Sequence, residues 1–194
     1  MGRILQVGGY KWAPVQHRQW FTLTASPTGS PETITLTRLT VSRAGVIVDW
    51  GDGSTTELPV NSTAAVTHSY ATAGTYRIVV SDATAITQLS LNSAKIGNLN
   101  TAQLRNSAIT LFNVAAITGS TIRSADASAW GPSLEYRINS MPAGGTYVIN
   151  LADLAAKNIT GFSLYSMPAS GTYVLNSGDM TSWPITSSFT IYTM

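Results

Sequence analysis

From Phe21 onward, apolar and hydroxyl-bearing residues alternate along the chain. Phe21-Thr-Leu-Thr24 and Ile34-Thr-Leu-Thr-Arg-Leu-Thr-Val41 carry an apolar side chain at nearly every second position, the period of a strand with one face buried. Val46–Trp50 and Val66–Val80 continue the β-prone pattern, and the cluster Ser26-Pro-Thr-Gly-Ser-Pro31 predicts a turn between the first strands. Asp52-Gly53, set between two such runs, predicts a hairpin, because both residues tolerate positive φ.

Beyond Ala83 the period lengthens. Met141–Asn150 reads MPAGGTYVIN and Met167–Asn176 reads MPASGTYVLN, two near-copies 26 residues apart. A spacing of this size belongs to units that each contribute a strand and a return segment to a stack, since one unit alone cannot bury its apolar face. Around this phrase a frame L-x-x-L-x-L-x-x-N-x-L fits Ile86, Leu89, Leu91, Ala94 and Ile96. Ile109, Leu111, Val114 and Ala116 make a looser second copy, with Asn106 where the leading leucine would stand. Tyr136, Ile138, Met141 and Ala143 make a third, Ile159, Phe162, Leu164, Met167 and Ala169 a fourth, and Phe189, Ile191 and Met194 begin a fifth. Asn150 before Asp153, and Asn176 before Asp179, have capping-box spacing with Asp in place of Glu. The first predicts a short helix or helical turn over Leu151–Lys157. The expected class is mainly β with minor helix.

Composition narrows the function classes. Only 10% of residues are charged, well below the globular norm, and Ser, Thr, Asn and Gly supply the polarity instead. The net charge is +2, with Lys and Arg scattered, so no run of cations can neutralise several phosphates and nucleic acid is not an expected partner. There is no cysteine, hence no disulfide framework or thiolate metal site. No apolar run reaches membrane-span length, and the start of the chain lacks the apolar region of a signal peptide. Residues 1–20 contain no acid but hold Arg3, Lys11, Trp12, His17, Arg18 and Trp20. They read either as an edge strand or loose terminus, or as an assembly arm in which Arg3, Lys11, Trp12, Arg18 and Trp20 dock on a neighbouring subunit.

Two stretches resemble known families. Asp49-Trp-Gly-Asp-Gly-Ser54, followed by Thr67-His-Ser-Tyr70 and Ala73-Gly-Thr-Tyr76, resembles the signature of PKD-type domains, which are immunoglobulin-like β-sandwiches of extracellular and virion proteins. The resemblance implies that Trp50 and Tyr76 are core residues and that Gly51, Asp52 and Gly53 form a turn. From Thr84 to Met194 the frame resembles leucine-rich repeats of the bacterial surface type, which also occur in phage proteins. The implied organisation is an arm over 1–20, a PKD-like β-sandwich over 21–83 and a short leucine-rich-repeat-like solenoid over 84–194.

Candidate chemistry is sparse. The chain has two histidines, His17 and His68, and His68 sits in a strand-like segment where a structural role is expected. Asp49 and Asp52 are close in sequence, but calcium requires 6–8 oxygens, and turn formation is the simpler role. No nucleophile elbow, phosphate loop or dinucleotide fingerprint occurs. No catalytic residue, cofactor or metal is therefore assigned. In the repeat strands the residues between inward positions face outward. One such column reads Asn92, Phe112, Asn139, Tyr165 and Tyr192, and its neighbour reads Ser90, Thr110, Arg137, Ser163 and Thr190. The aromatic column is either a contact ribbon for protein or sugar or cross-strand packing that stabilises the ladder. The last repeat strand has no polar cap in the sequence. This points either to a neighbouring subunit or to a longer chain, and both favour assembly.

The expected function is that of a non-enzymatic bacteriophage virion protein: a capsid decoration, head fibre, baseplate or tail-fibre component. Its expected partners are other virion proteins or copies of itself, and a host-surface glycan or protein. The alternatives are a bacterial cell-surface adhesin fragment and a carbohydrate-binding module.

Overall fold

The structure, a computed structural model, describes residues 19–176, Trp183 and residues 188–191. Within them the chain is mainly β. The first half contributes β1 (Phe21–Ala25), β2 (Glu32–Leu36), β3 (Arg38–Val41), β4 (Ile47–Asp49), β5 (Thr55–Glu57), β6 (Val66–Tyr70) and β7 (Tyr76–Val80). The second half contributes β8 (Ile86–Asn92), β9 (Ile96–Gly97), β10 (Leu111–Ala115), β11 (Thr121–Arg123) and β12 (Ser133–Asn139). It continues with β13 (Thr146–Asn150), β14 (Asn158–Tyr165), β15 (Thr172–Val174) and β16 (Ser188–Ile191). Short 3-10 segments over Ala83–Ala85, Thr101–Leu104, Ser124–Ala129 and Leu151–Leu154 fill the returns. Among the described residues no helix is long and apolar enough to cross a membrane.

The alternating segments of the first half form antiparallel pairs. β1 pairs with β7, β7 with β4, β4 with β5, and β2 with β6. Their inward residues, Phe21, Leu23, Ile34, Leu36, Val48, Ile78 and Val80, are buried, while the intervening Thr and Ser residues lie on the opposite face. Full burial of one such side chain is worth about 1.5–3 kcal/mol. The β4–β5 hairpin turns at the expected place, with Gly51 at φ 82° and Gly53 at φ 93°. At Gly51 space matters as well: a Cβ would lie 2.5 Å from the Arg77 carbonyl oxygen. Trp50 is fully buried, its indole N–H donating to Thr56 Oγ1 at 2.9 Å. Tyr76 is only partly buried, stacked on Tyr70 at 4.2 Å, so it flanks the core rather than filling it.

The second half is a stack of coils. β8, β10, β12, β14 and β16 run parallel in one sheet, and β11, β13 and β15 run parallel in another. The residues paired across the first sheet, Leu89, Phe112, Tyr136, Phe162 and Phe189, stand 23, 24, 26 and 27 residues apart. The predicted helix over Leu151–Lys157 is a single 3-10 turn, Leu151–Leu154. Asn150 caps it by accepting from the Ala152 N–H at 3.1 Å. Asp153 does not reach back to the Asn150 N–H. Ser124 of the preceding coil stands between them, accepting from Asn150 N at 2.8 Å and donating to Asp153. The capping exchange therefore ties two coils together.

The two halves share sheets. β3 runs antiparallel to β8 and β1 antiparallel to β9. Strands from the first half thus cover the first edge of both coil faces, which would otherwise offer unpaired N–H and C=O groups. Buried residues from both halves form one continuous apolar core.

Candidate interaction surfaces

The outward face of the six-stranded sheet carries two rows of residues aligned across its strands. Register places Arg38, Ser90, Asn113, Arg137, Ser163 and Thr190 in one row, and Asn92, Ala115, Asn139 and Tyr165 in the next. Asn92 and Tyr165 are exposed. Ser163 donates to Asn139 Oδ1 at 2.6 Å, and Arg137 donates through Nε to Glu135 at 2.5 Å. The first bond joins β14 to β12, and the second lies within β12.

Phe112 does not belong to that face. It is fully buried and pairs with Leu89 on one side and Tyr136 on the other. Sequence reasoning took Leu111 as the inward residue, whereas the frame is Ile109-x-x-Phe112-x-Val114, all three buried. The copy is displaced by three residues against its neighbours, with Phe112 rather than Ile109 beside Leu89, and an odd displacement exchanges the two faces of a strand. Ala115 consequently stands where Phe112 was expected, and Asn113 replaces Thr110 in the adjacent row. The continuous aromatic column is internal. Phe112 stacks on Tyr136 at 5.5 Å and Tyr136 on Phe162 at 6.1 Å, while Trp130 leans on Phe112 and Trp183 on Phe162. The Tyr136 hydroxyl lies in this column with no hydrogen-bond partner among the described residues, and burial pushes its pKa up. Tyr192 lies outside the described residues, as do Arg3, Lys11, Trp12 and Arg18 of the proposed arm. Trp20 is described, and the residue is 59% exposed.

The β4–β5 turn gathers Asp52, Ser54 and His68. His68 stacks on Trp50 at 4.9 Å and meets Tyr70 edge-on at 4.6 Å. Its Nε2 lies 2.7 Å from Asp52 Oδ2 and 3.3 Å from Ser54 Oγ. A Ser-His-Asp relay needs serine and carboxylate on opposite ring nitrogens. Here both meet the same nitrogen, so no proton can pass from Ser54 through the ring to Asp52. Asp52 also accepts from the Ser54 hydroxyl and N–H, and these bonds, with His68, hold its pKa down at about 2. Asp49 accepts from the Gly51 N–H at 2.9 Å. Both carboxylates brace the turn, and among the described residues no group of three His, Asp or Glu side chains could hold a metal ion.

Sequence reasoning missed a second surface, the outer face of the β5–β4–β7–β1 sheet. There Trp20, Ile47, Asp49, Thr55, Arg77 and Val79 line an open groove of about 400 Å³. The signal was the alternation itself: with Val48, Ile78 and Val80 inward, Ile47, Asp49, Arg77 and Val79 must face out. Comparison with protein-family models, curated proteins and solved structures found no match to this chain.

Proposed function

We propose that the chain is a non-enzymatic structural protein of a bacteriophage particle, acting by docking on other particle proteins or on copies of itself. The carrying observation is the outward face of the coil stack. Across its strands run polar side chains in register, covered at Ser90 and Ser163, half-buried at Asn113, Arg137 and Asn139, and exposed at Asn92 and Tyr165, an arrangement suited to contact rather than to bond-making. Two further points support the reading: antiparallel strands cover one end of the stack, and the turn that gathers Asp52, Ser54 and His68 has no relay geometry. In this reading the first half is a PKD-like, immunoglobulin-like sandwich and the second a leucine-rich-repeat-like solenoid, joined through shared sheets. Fold alone does not fix function, so the test is direct. Quantitative mass spectrometry of purified particles should find the chain at a constant ratio to the major capsid protein. Recovery in a bacterial envelope fraction and absence from particles would refute it.

The exposed ring of Tyr165 beside Asn139 favours a second reading, a surface adhesin or carbohydrate-binding module. An aromatic face flanked by amides can stack on a sugar ring. That reading requires glycan-array binding that is lost in Tyr165→Ala.

A further inference from the structure

We infer that the groove centred on Trp20 is a self-complementary contact through which two copies of this chain associate, an inference that rests on the assembly reading and names its partner. Register sets the face in two rows. Asp49 and Val79 lie side by side on β4 and β7, with Thr55 and Thr22 on the flanking strands. In the next row the Ser81 N–H donates to the Ile47 carbonyl, and Trp20 precedes β1. Trp20 and Ile47 are exposed, and Val79 is half-buried between them. Elsewhere the outer positions of β1 and β5 are Thr and Glu, so the apolar groups are concentrated here.

Charge selects the occupant. Asp49 and Arg77 line the same groove, yet they form no ion pair, and the Arg77 guanidinium has no hydrogen-bond or ion-pair partner among the described residues. Glu57, opposite Ile47 on β5 and outside the groove lining, accepts from the Gly45 N–H, as Asp49 does from the Gly51 N–H. An acidic partner would meet Asp49 and a basic one would meet Arg77, each with like charge. A second copy turned by a two-fold axis presents the opposite order. In such a contact residue i meets j and j meets i, so Arg77 of each copy faces Asp49 of the other. The two indoles then cover the apolar strip of Ile47 and Val79. Aromatic and arginine side chains are the groups that most often anchor such interfaces.

The test is a charge exchange on the full chain, read by sedimentation equilibrium across the micromolar range. The unmodified chain is expected to double its mass with concentration. Arg77→Asp and Asp49→Lys should each remain monomeric, and Trp20→Ala should lose the association without touching a charge. An equimolar mixture of Arg77→Asp and Asp49→Lys should recover the doubled mass, because each then supplies the charge the other lacks. Circular dichroism melts establish that each variant is folded, and the mixture provides its own control. A monomeric parent chain overturns the inference. So does a dimer that survives Arg77→Asp, or a mixture of folded variants that stays monomeric. A monomer that is nevertheless found in purified particles would sink this contact alone. A charge-dependent dimer absent from particles would sink the virion reading alone.

Discussion

The Tyr147 hydroxyl donates to the carbonyl of Pro142 at 3.0 Å, and 26 residues later Tyr173 makes the same bond to Pro168 at the same distance. This pair accounts for the repeated phrase. Each Met that opens it is buried, and each Tyr ring folds back over the glycine two positions before it. A Cβ on Gly145 would stand 2.3 Å from the Tyr147 hydroxyl and 2.8 Å from the Ser120 carbonyl oxygen. Tyr147→Phe is expected to destabilise the chain by about 1 kcal/mol, and Gly145→Ala by about 1–3 kcal/mol through overpacking. Denaturant melts check both. An unchanged midpoint in Gly145→Ala would show that the corner does not constrain the fold.

A second corner recurs at the end of the outward strands. Ala116, Ser140 and Ser166 have φ of 59°, 49° and 48°, a region that disfavours a side chain by about 1–2 kcal/mol. Ser140 and Ser166 are exposed, so glycine removes the strain with little loss of packing. Ser140→Gly and Ser166→Gly are each expected to raise stability by about 0.5–1 kcal/mol, after the larger unfolded-state entropy of glycine is set against the relief. A fall in melting temperature for both would contradict the reading of these corners.

The buried aromatic column predicts a neutral or favourable deletion. The Tyr136 hydroxyl is removed from water with no partner among the described residues, a situation that costs about 1–3 kcal/mol. Tyr136→Phe should therefore match or exceed the parent chain in stability, by up to about 1 kcal/mol. A clear loss would mean that the hydroxyl has a bonding partner.

Acid sensitivity follows from two carboxylates. Lys95 first, then the Gly29 and Thr28 N–H groups, hold Glu32 down at about 2, and the Ser54 hydroxyl chiefly does the same for Asp52. Both folded-state values lie below the ordinary carboxylate values. Their contribution is thus present above about pH 5 and lost as the pH falls towards 2. Chemical denaturation from pH 7 to pH 2.5 should show falling stability. The slope should flatten in Asp52→Asn and in Glu32→Gln. A pH-independent midpoint in the parent chain would refute the assignment.

Much of the fold was legible locally. Alternating Thr and apolar residues predicted strands over Phe21–Thr24 and Ile34–Val41, although the second run divides into β2 and β3 in different sheets. The β-prone run Val66–Val80 holds β6 and β7, Asp52-Gly53 predicted the hairpin, and the decapeptide predicted a stacked return. The second coil misled because Leu111 and Phe112 are adjacent and both apolar. Only pairing with Leu89 and Tyr136, far away in sequence, decides which one turns inward. The same limit hid the pairing of β3 with β8 and of β1 with β9, where hydrogen bonds join strands that no local period connects. The Trp20 groove escaped because its residues come from β4, β5 and β7 and from the segment before β1, and meet only once these strands are aligned. Its outward residues were visible singly but not as a group.

The most direct test of the assembly account is cross-linking of intact purified particles with an amine-reactive reagent, followed by mass spectrometry of the linked peptides. Lys95 lies between the two coil faces and Lys157 donates to the carbonyls of Ser128 and Trp130, so both report on the coil stack. The account predicts links from these lysines to another particle protein or to a second copy of the chain. Links confined to single copies, in particles that contain the chain, would contradict it.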